Sequence, residues 1–547
     1  VKRGLKHTVL VAELSRRFGY PVRLIEDRLE NMSGGDAHGP DRIFDVEMAY
    51  DGDGRVNSMR MRALDNAGAY TGRAPFQLGK PVSAIVGPYR IRSVAYEAIS
   101  VTTNITPQEA VRGFGQAPTN YAIERGIDLV AEALDRDRLD VRRRNLIRAD
   151  QFPYTIPSGS TYDSGDYHAL VDKTCAAAGG WDGLMARRDK LRSEGWLAGV
   201  GLSTCLEPSG GNSSFEPLLN PKNDTTTWME SCAIHVDGTG SVTATMSTTT
   251  SGQGHETLLS TVVGEVLHID PDQIRVARAT SLSGHATNSP VGSRMAVMLG
   301  GAAAKAAEEI RDKFRAIAAQ EFDVALDDTN WRDAGVDGPS GQRLDWMDLV
   351  HICHRNAHRL AAGQQPGISA IHTLQVPTGG ALPDAQNRIQ IYPCYALEVH
   401  LLLMRMDRIL CKPEILDYWM GHDCGVEINP HIVRGMSLGG IAHGLGAALM
   451  EQFRVDASGQ PQSLTLLDYP MPSVHEIPRV DIIKQCTPSP LTAFGQKGSG
   501  ESGYLGAPAA IAGAVNDALS PSGARIDHLP MRMSEISDIV AAAEGRP

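Results

Sequence analysis

Apolar residues recur at helical spacing from Thr8 to Phe18, where Val11, Leu14 and Phe18 share a face, so a helix is expected there. Between Glu230 and Val236 polar and apolar positions alternate, Asp237-Gly238 supplies a turn, and Ser241 to Ser247 alternates again. That pattern predicts a β-hairpin. Helical spacing returns over Tyr121 to Leu134, His255 to Leu267, Ala302 to Phe322, His431 to Met450 and Pro508 to Leu519. The β-branched run around Ser100 to Thr103 and the stretch from Ile415 to Trp419 read as strands. Helices and strands therefore mix along the chain, and the fold class expected is mixed α/β (α+β).

Four of these helices begin just after a glycine loop, and three of the loops follow a strand. The loops are Val111-Arg112-Gly113-Phe114-Gly115-Gln116, Ser251-Gly252-Gln253-Gly254, His422-Asp423-Cys424-Gly425 and Gly498-Ser499-Gly500-Glu501-Ser502-Gly503. Backbone N–H groups at a helix start attract anions, and glycine lets a ligand come close. One such loop fits an ordinary turn; four suggest an extended, phosphate-bearing ligand held by backbone. The helix after the third loop carries Gly435, Gly439, Gly440, Gly444 and Gly446, each costing about 1 kcal/mol against alanine. Spacings of four put Gly435 with Gly439, and Gly440 with Gly444, on shared faces, so another backbone or the ligand is expected to pack there.

Composition narrows the function classes. With 547 residues, 42% of them hydrophobic, the chain can bury the cores of two or more domains. A formal net charge of -12 without a long basic run argues against a nucleic-acid surface or an electrostatic membrane anchor. The 8 cysteines lack Cys-X-X-Cys spacing and read as reduced core thiols of a cytoplasmic protein. His351, Cys353 and His354 fit one helix without a second ligand pair, so no protein-ligated metal is expected. No signal peptide or apolar run of membrane-spanning length is evident.

Gly498-X-Gly500-X-X-Gly503 matches a dinucleotide-binding fingerprint, but Thr487-Pro488-Ser489-Pro490 ahead of it is poor strand and Glu501 would face a pyrophosphate. A carboxylate among glycines is better read as a reacting group, with Glu501 the catalytic base. Burial would raise its basicity and the adjacent helix start would lower it.

At these residues the chain resembles the molybdopterin-binding large subunit of the xanthine dehydrogenase and aldehyde oxidase family of molybdenum hydroxylases. The resemblance rests on Glu26-Asp27-Arg28, Arg112 to Gly115, Tyr162 to Tyr167, Gly252 to Thr257, Asp423-Cys424-Gly425 with Ile428-Asn429-Pro430, and Lys497 to Glu501, in family order. It implies two elongated molybdopterin-binding domains, residues 1–167 and 183–547, joined by a linker at 168–182. It also implies a molybdopterin cofactor in its cytosine dinucleotide form, with molybdenum held by the pterin dithiolene, and Glu501 as the base that activates a water-derived oxygen. Arg112, Gly113, Gly252, Gln253, Gly254, Gly292, Ser293, Lys497, Gly498 and Gly500 are the cofactor-binding positions implied, and Phe114 and Lys80 would face substrate. Phe114 also fits a core position, and Ser293 a helix cap. Electrons would leave through iron–sulfur clusters and FAD, which this chain lacks the residues to hold, so partner subunits are implied.

Two departures from the family pattern matter. The N-terminal domain and glycine-rich segment usual in the family precede the position aligned with Val1, so a split subunit or a fragment is expected, with another chain supplying that part. Met436 stands where the family tends to have a cofactor-contacting glutamine. A non-catalytic scaffold that binds the cofactor is the rival reading. Gly113 aligns with the copper-binding cysteine of carbon monoxide dehydrogenases, and Arg3 with a second acidic residue of purine-oxidising members. Aromatic N-heterocycles and aldehydes remain as substrates.

Overall fold

The computed structural model describes residues 5–34, 38–211, 228–278, 280, 285, 287, 290–376, 378 and 382–545. Helix α1 (Leu5–Phe18) leads into a hairpin of β1 (Arg42–Tyr50) and β2 (Val56–Gly68), and β3 (Ser93–Thr102) runs parallel to β2. Alternation along β1 turns Phe44, Val46 and Met48 to one side, where they meet the core that contains Ile123, Ile127 and Val130 of α2 (Gln116–Ala133). Arg142 lies fully buried behind α2, bonded to Glu124 at 2.9 Å and to Asp128 at 2.7 Å. Glu124 also accepts the Thr204 N–H at 3.0 Å, so this ion cluster fixes α2 to the strand described next.

Residues 168–182, expected as a linker, instead hold most of helix α3 (Tyr167–Ala177), whose Leu170 and Val171 are buried. An apolar stripe gives this segment a sheet to pack against, so the connection is part of the core. Strand β4 (Leu197–Ser209) is buried at every position because helices cover both of its faces.

The next sheet has the order β8-β5-β6-β7, from β5 (Met229–Val236), β6 (Val242–Met246), β7 (Ile274–Arg278) and β8 (Ile368–Gln375). The hairpin read from alternation is β5 and β6. Helix α4 (His255–Leu267) crosses from β6 to its parallel neighbour β7, and the 28-residue α5 (Met295–Phe322) joins the same core through Ile310 and Phe314.

The remaining sheet joins β4 to β9 (Cys394–Met406), β10 (Glu414–Asp423) and β11 (Val480–Lys484) in the order β11-β10-β9-β4. Helix α7 (Ala507–Leu519) lies on β4, beside α6 (Pro430–Leu449). Gly440 of α6 explains its own presence: a Cβ there would meet the Ser502 carbonyl oxygen at 1.9 Å. The neighbouring backbone expected from the glycine spacing is thus the loop that carries Glu501. Among the described residues no helix is long and apolar enough to cross a membrane, and seven of the eight cysteines are buried, with Cys486 exposed.

Candidate active site

A cavity of about 370 Å³ opens where the glycine loops come together. Its walls are residues 110–112 and Phe114, Gln253 to His255, Pro290 to Ala296, Val426 to Asn429 and Gln496 to Glu501, closed by Arg73, Phe76, Lys80, Trp228 and Tyr392. Of the positions assigned from sequence, Gly113 and Gly252 are not in this wall, although the Gly113 carbonyl accepts from Lys80 at 3.3 Å. Nothing in the sequence pattern singled out Phe76, Trp228 or Tyr392, because single aromatic residues carry no spacing signal.

Glu501 is 7% exposed, and its Oε2 accepts from the Lys80 ammonium at 2.6 Å, a pair separated by 421 positions in sequence. Lys80 is 4% exposed, so this is a buried ion pair. Its charges attract strongly because little water screens them. Two of the three lysine protons serve Glu501 and Gly113, and the amine lies 5.9 Å from the Tyr392 ring centre.

Arg112 reaches across to the carbonyls of Gly500 at 3.0 Å, Ser502 at 3.3 Å and Met436 at 2.8 Å. Burial pushes its guanidinium below the usual arginine range, against the pull of Glu207, Glu501 and Glu398. It therefore clamps the loop that carries Glu501. Lys497 turns its ammonium away to the carbonyls of Ser164 at 3.0 Å and Tyr395 at 3.1 Å, with Asp163 at 3.8 Å. Gln253 folds back to accept from the Ser251 N–H at 2.6 Å.

Backbone strain gathers in this wall. Phe114 and Ser293 have φ of 43° and 51°, in the left-handed region that L-residues seldom occupy, which points to a geometry imposed by the surroundings. Gly498 sits so close to the facing turn that a Cβ would meet the Ser293 carbonyl oxygen at 1.9 Å.

The wall is suited to an anion. The starts of α4 and α5, at Gly254 and Arg294, border the cavity and lack a side-chain cap, so N–H groups at both ends stay available. His255, also in the wall, has a buried Nδ1 without a hydrogen-bond partner. An extended ligand bearing phosphate groups fits these donors.

Comparison with known proteins agrees with that fit. Residues 174–478 match the model of a molybdopterin cofactor-binding domain, and residues 1–146 match a second model of the same description. The chain belongs to the molybdopterin-binding subunits of the molybdenum hydroxylase family. It is 31% identical to the nicotine 6-hydroxylase large subunit of Paenarthrobacter nicotinovorans, over 95% of this chain and 62% of that protein. Against the carbon monoxide dehydrogenase large chain of Hydrogenophaga pseudoflava it is also 31% identical, over 94% of this chain and 62% of the relative. The crystal structure of quinoline 2-oxidoreductase from Pseudomonas putida 86 superposes with a TM-score of 0.89 at 30% identity, covering 99% of this chain and 66% of that one. The chain thus spans about three fifths of the length of those curated relatives.

Proposed function

We propose that this chain carries the molybdenum cofactor of a hydroxylase that inserts a water-derived oxygen at an electron-poor carbon of an aromatic N-heterocycle or an aldehyde. The observation that carries the reading is Glu501, buried beside Lys80 at the end of a cavity walled by strained and glycine-rich backbone. When bound, the molybdenum group supplies the activated oxygen and takes up two electrons. Residues 1–167 and 183–547 act as the two cofactor-binding domains, with Gln253, Gly254, Gly292, Ser293, Gly498 and Gly500 along the cofactor. The cytosine dinucleotide form suits the two uncapped helix starts, which offer N–H groups to a pyrophosphate.

Glu501 takes up the proton released as oxygen is transferred. Lys80 offers its remaining N–H to an acceptor atom beside the attacked carbon, a ring nitrogen or a carbonyl oxygen, and so makes that carbon more electron-poor. Phe76, Phe114, Trp228 and Tyr392 give a flat ring apolar faces to lie against. Relatives named for nicotine and quinoline support an N-heterocycle. The glycine at position 113 counts against carbon monoxide, since no thiol is available there to hold copper.

Iron–sulfur and flavin partners would receive the electrons. A cytoplasmic complex accords with seven buried free cysteines. Metal and nucleotide analysis of the protein from its native source, with co-purifying chains identified by mass spectrometry, tests this. About one molybdenum per chain, released cytosine nucleotide and loss of turnover in Glu501→Gln are expected. A molybdenum-free complex with its partners intact would overturn the reading in favour of the scaffold, and a Glu501→Gln protein with normal turnover would overturn the assignment of Glu501 as the base.

A further inference from the structure

The side chains that point from β4 and β9 toward α7 form a row of polar groups under the Glu501 loop. Antiparallel pairing sets Ser209 opposite Cys394, Glu207 opposite Ala396, Cys205 opposite Glu398 and Ser203 opposite His400, so all of these share one sheet face. Four of them bond the loop in order. Ser209 Oγ accepts the Gly498 N–H at 2.9 Å, Glu207 Oε1 the Glu501 N–H at 2.7 Å, and Glu398 Oε2 the Gly503 N–H at 2.9 Å, while Ser203 Oγ donates to the Gly506 carbonyl at 2.8 Å. Arg112 holds carbonyls of the same loop, at Gly500 and Ser502.

Both carboxyls have 0% exposure, and neither touches the cavity. Glu207 has one oxygen doubly used, by the Glu501 N–H and the Ser293 hydroxyl, and the other without a partner. It therefore joins the base-bearing loop to the Pro290–Arg294 turn on the facing wall. Burying the Glu207 carboxyl, for which no cationic partner lies within ion-pair reach among the described residues, is costly, and a serine there would leave a smaller debt if acceptor capacity alone were needed. The reach of a glutamate to a fixed point is what these sites use.

We propose that Glu207 and Glu398 are positioning residues for the base, holding the peptide N–H groups of Glu501 and Gly503 and so fixing where the Glu501 carboxylate stands. Within this arrangement the distance and direction of the acceptor matter, and its charge does not. Burial, together with the charges of Glu398 and Glu501, pushes the Glu207 carboxyl well above the usual range, toward its neutral form. Glutamine is then its near-isostere, whereas aspartate keeps the acid but withdraws the oxygen by one methylene.

This inference rests on Glu501 being the base, and the test separates the two. In the molybdenum-loaded complex, Glu501→Gln sets the floor of turnover. Glu207→Gln is expected to keep kcat within about fivefold of the unmodified protein and Glu207→Asp to lower it by about 100-fold, the scale on which ångström misplacement acts, with KM nearly unchanged. Amide hydrogen exchange of the cofactor-free protein gives a readout apart from activity: the peptide covering 495–506 exchanges faster in Glu207→Asp and not in Glu207→Gln. Aspartate as active as glutamine, or exchange equal in both variants, would overturn the proposal. Turnover surviving in Glu501→Gln would instead overturn the assignment of the base. Should Glu207→Asp fail to assemble, the same pair of substitutions at Glu398, which does not touch the Ser293 turn, must show the same order.

Discussion

Lys80 is the residue whose loss should be felt most directly after Glu501. Lys80→Met removes the ammonium and leaves Glu501 buried without its ion partner. Steady-state kinetics should show kcat/KM for an N-heterocycle falling by about 10²-fold, the usual effect of deleting one aimed donor; an unchanged value would refute its substrate role. Burial pushes Glu398 from 4.5 up to about 8. The folded protein then holds this proton over a range where the unfolded chain has released it, so stability is full below about 4.5 and is lost as pH rises to about 8. His400, pushed down to about 3 by burial, acts oppositely: its contribution is present above 6.5 and is lost as pH falls toward 3. Thermal melts should therefore show Glu398→Gln flattening the decline between pH 5 and 8, while the acid limb remains. Glu501 stood out in the sequence as a candidate because glycine surrounds it. Glu207 and Glu398 were not, since a glutamate within a strand looks like a solvent-facing residue until both faces of that strand are known to be covered.

At the scale of elements, the approach of α6 to the 498–503 loop is a contact with almost no room. Gly440→Ala would push a methyl group into the Ser502 carbonyl, an overpacking that costs about 1–3 kcal/mol. A lower melting temperature with reduced molybdenum content is expected, and a variant with native values for both would show that the loop can yield. Helix α4 begins at His255 and ends at Leu267, as its apolar spacing predicts, and α6 and α7 follow their patterns to within a residue or two. Strand β4 was missed, because a strand buried on both faces loses the alternation by which strands are read. Helix α3 lay hidden in the expected linker for a related reason: its partner, β10, begins more than 200 residues later.

Across the whole molecule, the cavity wall is drawn from loops between residues 73 and 501, so the bound cofactor should link parts of the chain that pack on different sheets. Removing it is expected to speed hydrogen exchange in the loops at 110–114, 253–255, 290–296 and 496–501, with the β4 and β9 ladder unaffected, because a ligand stabilises the state that binds it. Equal exchange with and without cofactor would place the cofactor elsewhere. Sequence alone determined the helices and strands with a plain apolar period, such as α4 and the β5–β6 hairpin, which loops are rich in glycine, and that Glu501 is held among them, because those features depend on near neighbours. The tertiary structure decided that the four loops meet at one cavity, that Lys80 faces Glu501 across 421 positions, and that a sheet face supplies the acceptors beneath the loop. Those outcomes follow from strand order and register, which bring together residues that no local pattern relates.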